Sequence, residues 1–304
     1  MNGKNILVIG GTGFIGFNFI KEALNKGLIV TNISIKSKIH AQHKNLSHFN
    51  CDLLDKTNLS KILENKTFHY VINFGNYIDH TDFLLGGDNI LKTQVDGLIN
   101  ILSNLNRADL IKFINIGSSD EYGNNGSPQN EKMNLKPFSP YSLGKTIVSE
   151  FLELLYASEQ LPTLTLRPFL VYGPYQKSNR FLPHVISSCL KNKSFDCSAG
   201  TQIRDFCFVG DFIDAIFISL DKEEVNGKTV NVASGIPVTI KEITLKIVDI
   251  IGKGKPKFGK IEMRNDENMS LYADISFAKN ILSWQPKTDI DTGLSKTINF
   301  YKNI

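Results

Sequence analysis

A glycine-rich turn near the N-terminus constrains this chain more than any other feature. The run Asn5–Ile9 is short and mostly aliphatic, and it is followed by Gly10-Gly11-Thr12-Gly13-Phe14-Ile15-Gly16 and a helical pattern. Glycine permits a tight turn, lets backbone amides approach a pyrophosphate, and allows the helix to pack closely on the strand. The N-terminus of that helix offers unpaired N–H groups and a partial positive charge to an anion. We therefore predict a dinucleotide-binding turn made of Gly10, Thr12, Gly13, Phe14, Ile15 and Gly16.

The first half of the chain alternates aliphatic runs with amphipathic stretches, which is typical of βαβ units in a parallel sheet. The predicted strands are Asn5–Ile9, Leu28–Ile35, Leu46–Cys51, Tyr70–Phe74, Ile111–Ile116 and Thr163–Leu166. The predicted helices are Phe14–Asn25, Asp88–Leu105 and Pro140–Glu159, with Glu242–Ile251 in the less regular part that follows Pro174. We predict an α/β fold with a Rossmann-type doubly wound parallel sheet over residues 1–172. A smaller C-terminal α/β substrate lobe, partly interleaved with the first domain, is predicted over residues 173–304.

Composition excludes several other classes of protein. Of the 304 residues, 41% are hydrophobic and 21% are charged, which is ordinary for a globular chain. The net charge of +4 is too mild to indicate nucleic-acid binding. No apolar run reaches the roughly 18 residues of a membrane span, and the N-terminus lacks a signal-peptide pattern. The four cysteines have no metal-ligand spacing. We expect a cytoplasmic protein without a metal site and without a nucleic-acid or membrane partner.

The choice of dinucleotide depends on the end of the second predicted strand. An NAD site usually has an acidic residue there, which accepts hydrogen bonds from ribose hydroxyls. No Asp or Glu occurs between Glu22 and Asp52, and the expected position holds Ser34, followed by Lys36 and Lys38. A missing carboxylate removes repulsion against a 2′-phosphate and lysines attract it, although lysines are also common in solvated loops. The sequence therefore favours NADP over NAD, with Asp52 as the acceptor for the adenine amino group.

Tyr141 and Lys145 are the candidate catalytic pair. They stand four residues apart on a predicted helix, so they share one face. A free phenol has a pKa of about 10, and a neighbouring ammonium lowers that pKa toward neutrality. Tyr141 follows Ser118 by 23 residues, and Ser118 comes at the C-terminal end of a predicted strand, where such sheets present active sites. Ser118, Tyr141 and Lys145 are therefore the predicted catalytic set.

Seven segments together resemble the extended short-chain dehydrogenase/reductase family, in its nucleotide-sugar epimerase/dehydratase branch. The segments are Gly10–Gly16, Val71–Asn76, Gly117–Gly123, Tyr141–Lys145, Arg167–Pro174, Arg204–Phe206 and Trp284–Pro286, so the resemblance runs nearly end to end. It implies an enzyme that binds NAD(P) and a nucleotide-diphosphate sugar and moves a hydride between the sugar C4 and the nicotinamide. It also implies a homodimer, because the family often dimerises through two helices, here Asp88–Leu105 and Pro140–Glu159.

The resemblance also implies roles for individual residues. Tyr141 is the acid–base, Lys145 is its partner and holds the nicotinamide ribose, and Ser118 hydrogen-bonds the oxygen at C4, with Ser119 as the alternative by a one-residue shift. Guanidinium groups match the oxygens of a diphosphate, although each arginine could equally form a salt bridge. The further residues implied at the site are Leu53, Phe74 and Gly75 for the cofactor, and Ser119, Asp120, Asn179, Arg180, Arg204 and Arg264 for the substrate.

Three reactions remain open for this branch. A 4-ketoreductase consumes NAD(P)H, whereas a 4-epimerase and a 4,6-dehydratase recycle a retained cofactor, and the dehydratase needs a further acid near C6. The NADP preference favours a ketoreductase acting on a nucleotide-linked 4-keto-6-deoxyhexose. The resemblance makes Asp120 an argument for a dehydratase. Ser119 stands where the best-matched sugar dehydratases carry Asp, which weakens that argument without removing it, because a Thr-Ser-Glu variant exists in the branch; Asp120 or Glu121 could instead orient the loop. A non-catalytic dinucleotide-binding protein is the alternative outside enzymes, and the retained Ser, Tyr and Lys argue against it.

Overall fold

The computed structural model of the protein describes residues 1–75, 78–263 and 267–303. In chain order, its helices and strands are β1 (Asn5–Ile9), α1 (Phe14–Asn25), β2 (Ile29–Ser34), β3 (Leu46–Asn50), α2 (Lys56–Leu63), β4 (Tyr70–Asn73), α3 (Asp88–Asn104), β5 (Lys112–Ile116), α4 (Pro140–Glu159), β6 (Thr163–Pro168), β7 (Leu170–Tyr172), α5 (Phe181–Leu190), β8 (Ser194–Asp196), β9 (Ile203–Phe208), α6 (Val209–Ser219), β10 (Lys228–Val232), β11 (Pro237–Thr239), α7 (Ile240–Ile251), β12 (Lys255–Lys257), β13 (Ser270–Leu271), α8 (Ser276–Leu282) and α9 (Ile290–Lys302). Short 3₁₀ turns stand at Phe83–Leu85, Ser119–Tyr122 and Glu223–Val225.

Seven strands form one sheet in the order β10-β6-β5-β4-β1-β2-β3. From β3 to β6, every neighbouring pair of strands runs parallel. The chain moves outward from β1 to β3 and then returns to β4 on the other side of β1, so the strand order reverses between β1 and β4. Ligands of such sheets bind beyond the carboxyl ends of the strands at that reversal. The predicted Rossmann-type doubly wound parallel sheet is therefore confirmed.

Apolar packing holds the helices against this sheet. Strand β1 is almost fully buried from Ile6 to Ile9. On one face of the sheet, apolar side chains from β1, β4 and β5 form a single buried cluster with α2, α3 and α4. Its members include Leu7, Ile9, Leu59, Val71, Leu98, Ile101, Phe113, Val148 and Leu152. Burying one side chain of this size contributes about 1.5–3 kcal/mol. The cluster fixes α4, the helix that carries Tyr141 and Lys145, next to β5.

The chain divides into two compact units. The first comprises Met1–Gly123, Asn134–Arg167 and Ala215–Val230, and it contains most of the seven-stranded sheet. The second comprises Asn124–Met133, Pro168–Asp214 and the chain from Asn231 onward. Within the second unit, β9 pairs in parallel with β7 and β13 and antiparallel with β11, above a core of its own that includes Leu182, Ile186, Phe206, Ile243 and Leu294. Each unit is thus built from separate stretches of the sequence.

Several helices differ from the sequence-based prediction: α3 ends one residue early, at Asn104, and α5, α6, α8 and α9 lie in the part after Pro174, where only Glu242–Ile251 was predicted. Helix α2 was not predicted, because polar residues outnumber apolar ones in it; its buried residues are Leu59, Ile62 and Leu63, on one face. Helix α7 begins two residues before the predicted start, because Thr239 caps it. The Thr239 hydroxyl accepts a hydrogen bond from the amide of Glu242, and the Glu242 carboxylate accepts one from the amide of Thr239. Among the described helices, none combines the length and the apolar character needed to cross a membrane.

Candidate active site

Glycine is required at two positions in the turn between β1 and α1. Gly10 has a φ of +78°, and a Cβ there would lie 3.0 Å from backbone atoms of both Phe74 and Gly75. A Cβ on Gly16 would lie 2.7 Å from the carbonyl oxygen of Gly10. Any side chain at either position would push α1 or the end of β4 away from the turn. The close approach that the sequence predicts is therefore present, and Phe74 and Gly75 lie against it.

The N-terminus of α1 fits the pyrophosphate of a dinucleotide. The helix begins at Phe14, and its N-cap, Gly13, has no side chain that could occupy the amides of the first turn. Amides at the start of a helix have no partner within the helix, and they carry a partial positive charge. Thr12, Gly13, Phe14 and Ile15 all keep part of their surface exposed. The amides at the start of the helix, Phe14 and Ile15, and the space left by the glycines suit an anion that must approach the backbone closely.

Two polar side chains of β2 brace the glycine turn. The Asn32 Oδ1 atom accepts a hydrogen bond of 2.9 Å from the amide of Gly11. The Ser34 hydroxyl accepts one of 3.3 Å from the amide of Thr12. Both side chains are buried. Ser34, predicted to face the adenosine ribose, is therefore also a structural support of the turn.

The other predicted cofactor residues are at the surface or close to it. Lys36 and Lys38 are exposed in the segment that follows β2. Asp52 is exposed, and its carboxylate accepts a 2.9 Å hydrogen bond from the amide two residues further on. Leu53 is half-buried, and a Cβ on Gly75 would lie 3.5 Å from it. Their contacts with a cofactor remain predictions.

The predicted catalytic residues converge at the carboxyl end of β5. Ser118 follows β5 and is buried, and Tyr141 and Lys145 stand in the first two turns of α4. The Lys145 Nζ atom donates a 2.6 Å hydrogen bond to the carbonyl oxygen of Ile116, the last residue of β5. The same Nζ atom lies 5.9 Å from the centroid of the Tyr141 ring. The structure therefore brings together the three residues that the sequence assigned to catalysis.

Burial tunes the charge of Lys145. Desolvation lowers the pKa of this ammonium to about 8, while the nearby carboxylates of Glu121 and Asp120 act in the opposite direction. Lys145 is therefore still protonated at neutral pH and loses its proton as the pH rises through about 8. An ammonium next to a phenol stabilises the phenolate, so the arrangement suits proton transfer by Tyr141.

A buried ion pair between Glu121 and Arg167 holds the backbone of Ser118. The Glu121 Oε1 atom accepts a 2.7 Å hydrogen bond from the amide of Ser118, and Oε2 accepts from the Ser149 hydroxyl at 2.9 Å and from Arg167 at 2.6 Å. The side chains of Glu121 and Arg167 are 0% and 3% exposed, and the Arg167 guanidinium lies 4.5 Å from the centroid of the Tyr122 ring. From the sequence alone, Glu121 is only one of two residues that could orient the loop, and Arg167 has no predicted role.

Next to Asp120 lies His80, which is not among the residues predicted from the sequence. The amide of Asp120 donates to the Ser118 hydroxyl at 3.2 Å, and its Oδ2 atom lies 3.6 Å from Nε2 of His80. The His80 ring meets the Tyr141 ring edge to face, with centroids 5.4 Å apart, and stacks on Phe138. No sequence motif identifies His80, because it stands 40 positions before Asp120 in the chain and only the fold brings the two side chains together.

The predicted substrate residues outside this cluster have different surroundings. Arg204 stands in β9, where its guanidinium donates to the carbonyl oxygens of Ile203 and Asn268 and forms an ion pair with Glu267. Asn179 and Arg180 are exposed immediately before α5. Arg264 lies outside the described residues. Ser119, the alternative to Ser118, is buried in the 3₁₀ turn. Substrate contacts of these residues remain predictions.

Comparison with known proteins agrees with the fold. A sequence model described as the NAD dependent epimerase/dehydratase family matches residues 6–233. The chain is 27% identical, over 97% of its length and 92% of the relative's, to a dTDP-glucose 4,6-dehydratase of Xanthomonas campestris pv. campestris. It is 30% identical to a putative UDP-glucose 4-epimerase of Methanocaldococcus jannaschii, with 98% of each chain covered.

A solved structure is similar over the whole chain. The UDP-N-acetylglucosamine 4-epimerase of Methanobrevibacter ruminantium M1, solved in complex with UDP-N-acetylmuramic acid, superposes with a TM-score of 0.88 at 27% identity. The match covers 100% of this chain and 99% of that one. The doubly wound sheet, the match to the family model and the 30% identical relative lead to one conclusion. The chain belongs to the NAD-dependent epimerase/dehydratase family.

Proposed function

We propose that this protein is an NAD-dependent 4,6-dehydratase of a nucleotide-linked hexose. The observation that carries the proposal is the position of Asp120. Its carboxylate belongs to the same cluster as Ser118, Tyr141 and Lys145, and it is linked to Tyr141 through the ring of His80. Removal of water from a sugar requires acid–base groups in addition to the one that serves C4, and Asp120 supplies such a group.

The residues of the cluster account for the first step. In the proposal Tyr141, as phenolate, takes the proton of the C4 hydroxyl, while the Lys145 ammonium stabilises the phenolate and the Ser118 hydroxyl holds the sugar oxygen. NAD, which the glycine turn between β1 and α1 would hold, would supply the acceptor for the C4 hydride and the donor for its return in the same turnover. This step is common to all three reactions considered above, so it does not distinguish between them.

Two observations argue against the ketoreductase that the sequence favoured: the names of the relatives and the hydrogen bonds at the end of β2. The relatives described above are a dehydratase and two epimerases, and the family is NAD-dependent. The preference for NADP rested on the missing acidic residue at the end of β2. The serine at that position has another physical explanation. The side chains of Asn32 and Ser34 accept hydrogen bonds from amides of the glycine turn. We therefore propose retained NAD as the cofactor.

A 4-epimerase is the second candidate. It is favoured by the similarity to the Methanocaldococcus and Methanobrevibacter proteins. Epimerisation needs only the acid–base at C4, which Tyr141 supplies, and it gives no role to Asp120. The dehydratase is preferred because it uses a carboxylate that lies within the cluster.

The fate of the sugar distinguishes the candidates. We expect the purified protein with NAD to convert at least one of dTDP-glucose, UDP-glucose and UDP-N-acetylglucosamine to a product that is lighter by one water, measured by mass spectrometry. In D₂O, the product should carry deuterium at C5. A product of unchanged mass with inverted C4 would establish the epimerase instead. Steady consumption of NADPH with a 4-keto-6-deoxy sugar nucleotide would restore the ketoreductase.

We also propose that the protein forms a homodimer through α3 and α4. These helices pack against each other, and they expose the apolar side chains Ile99, Leu143, Ile147 and Leu154. A second copy would cover them. We expect sedimentation to give the mass of a dimer for the native chain and of a monomer for the variant Ile147→Glu/Leu154→Glu. Leu245→Glu, at a similarly exposed position on α7, should remain dimeric. A monomeric native chain would refute the proposal.

A further inference from the structure

The 4,6-dehydration proposed above needs two groups that one carboxylate cannot provide together. After C4 is oxidised to a ketone, a base must take the proton from C5 while an acid protonates the departing C6 hydroxyl. Asp120 can act as only one of these in a given step. Its neighbours in the chain do not supply the second group. Ser119 carries a buried hydroxyl, which is a poor acid at neutral pH, and the Glu121 carboxylate is buried in its ion pair with Arg167.

His80 is a second group beside Asp120 that can give or take a proton. Its Nε2 atom is 3.6 Å from the Asp120 carboxylate, within ion-pair distance when the imidazole is protonated. Its ring is also in edge-to-face contact with Tyr141. The side chain is 33% exposed, so it can reach both a ligand and solvent. Imidazole is the side chain best suited to give and take protons at neutral pH.

Several contacts hold the imidazole in this position. Its Nδ1 atom lies 3.3 Å from the hydroxyl of Ser139, the N-cap of α4, and its ring stacks on Phe138. The segment is braced on the other side by Asp79, whose carboxylate accepts hydrogen bonds from both the hydroxyl and the amide of Thr81. These bonds, with a smaller contribution from the nearby His80, lower the pKa of Asp79. Among the residues that the structure describes, the charged and titratable neighbours of His80 include Asp79, Asp120 and Tyr141.

We propose that His80 is the catalytic acid that protonates the departing C6 hydroxyl and that Asp120 is the base at C5. Asp120 takes the C5 proton, the electron pair forms the C5–C6 double bond, and the C6–O bond breaks as the oxygen takes a proton from His80 and leaves as water. The Asp120 side chain is 24% exposed, so its proton exchanges with solvent before Asp120 protonates C5. The hydride taken at C4 is given back at C6, so the electrons balance. His80 ends one proton short, and Tyr141 holds the proton taken from the C4 hydroxyl.

The His80 side chain is 33% exposed, so it can exchange protons with solvent, and that exchange carries the balance between Tyr141 and His80. It restores both groups, and the net change is the loss of one water from the sugar. An epimerase would not need this exchange, because its tyrosine gives the proton back to the oxygen at C4. The inference therefore rests on the proposed dehydration and adds to it a residue for the second half of the reaction.

The variant His80→Gln separates the two half-reactions. In a single turnover with NAD and the sugar nucleotide that the native enzyme dehydrates, we expect it to form reduced nicotinamide at a rate close to the native one. The nicotinamide should then stay reduced, and the dehydrated product should form about 10²- to 10⁴-fold more slowly, the usual contribution of a general acid. His184→Gln, at an exposed position on α5, is the matched control and should behave like the native protein.

Deuterium exchange tests the division of roles. In D₂O, sugar recovered from His80→Gln should carry deuterium at C5, because Asp120 can still remove that proton; sugar recovered from Asp120→Asn should not. Dehydration by His80→Gln at the native rate would overturn the inference, and so would an equal loss of both half-reactions, which would make His80 a support for Tyr141. If the native enzyme itself removes no water, the proposed function fails and this inference fails with it.

Discussion

Replacing Tyr141 by phenylalanine should lower the rate of C4 oxidation by about 10²- to 10⁴-fold, the range that one acid–base group contributes. The change removes only the hydroxyl, so the ring still contacts His80 and Lys145 keeps its hydrogen bond to Ile116. Binding of NAD should therefore be almost unchanged. Stopped-flow absorbance of the reduced nicotinamide measures the rate, and titration calorimetry measures binding of the cofactor.

Tyr156→Phe is the control for this variant, because it removes a phenol hydroxyl from the same helix, near its other end. It should oxidise the sugar at the native rate. The native rate should also fall as the pH rises through about 8, because burial lowers the pKa of Lys145 to that value and the ammonium loses its proton. Native activity in Tyr141→Phe would refute the acid–base assignment, whatever the reaction proves to be.

The sheet and the Ser–Tyr–Lys cluster could be predicted because local patterns encode them. Glycine at position 10 is needed by a left-handed backbone conformation, and glycine at position 16 by a close approach of the turn. The spacing of Tyr141 and Lys145 follows from the helical repeat. A strand that ends just before Ser118 determines the edge of the sheet at which Ser118 stands. Each inference needed only neighbouring residues and the rules of βαβ units.

The parts that could not be predicted depend on contacts between distant residues. His80 and Asp120 are 40 positions apart, and Glu121 and Arg167 are 46 apart, so neither pair forms a pattern in the sequence. The preference for NADP shows a second limit. The absence of an acidic residue at the end of β2 favours NADP, yet that position holds Ser34, whose hydroxyl accepts a hydrogen bond from the amide of Thr12. A missing residue type can reflect local support as well as ligand choice.

Replacing Arg167 by methionine should lower the free energy of unfolding by about 3–5 kcal/mol, because it leaves the Glu121 carboxylate buried without its partner. Denaturant unfolding with linear extrapolation measures this change. Arg107→Met is the matched control: Arg107 pairs with Glu159 at 3.1 Å, but both side chains are about half exposed. Exposed pairs are screened by water and gain little, so the control should stay close to the native stability. Equal losses in the two variants would contradict the assigned burial.

The double variant Glu121→Leu/Arg167→Met separates stability from positioning. With both charges removed, no uncompensated charge stays buried, so most of the lost stability should return. Activity should not return with it, because Glu121 also holds the amide of Ser118 at 2.7 Å. A leucine cannot accept that bond, so Ser118 loses the hydrogen bond that holds its backbone amide. We therefore expect a stable protein with a reduced kcat; recovery of both properties would show that the ion pair serves folding alone.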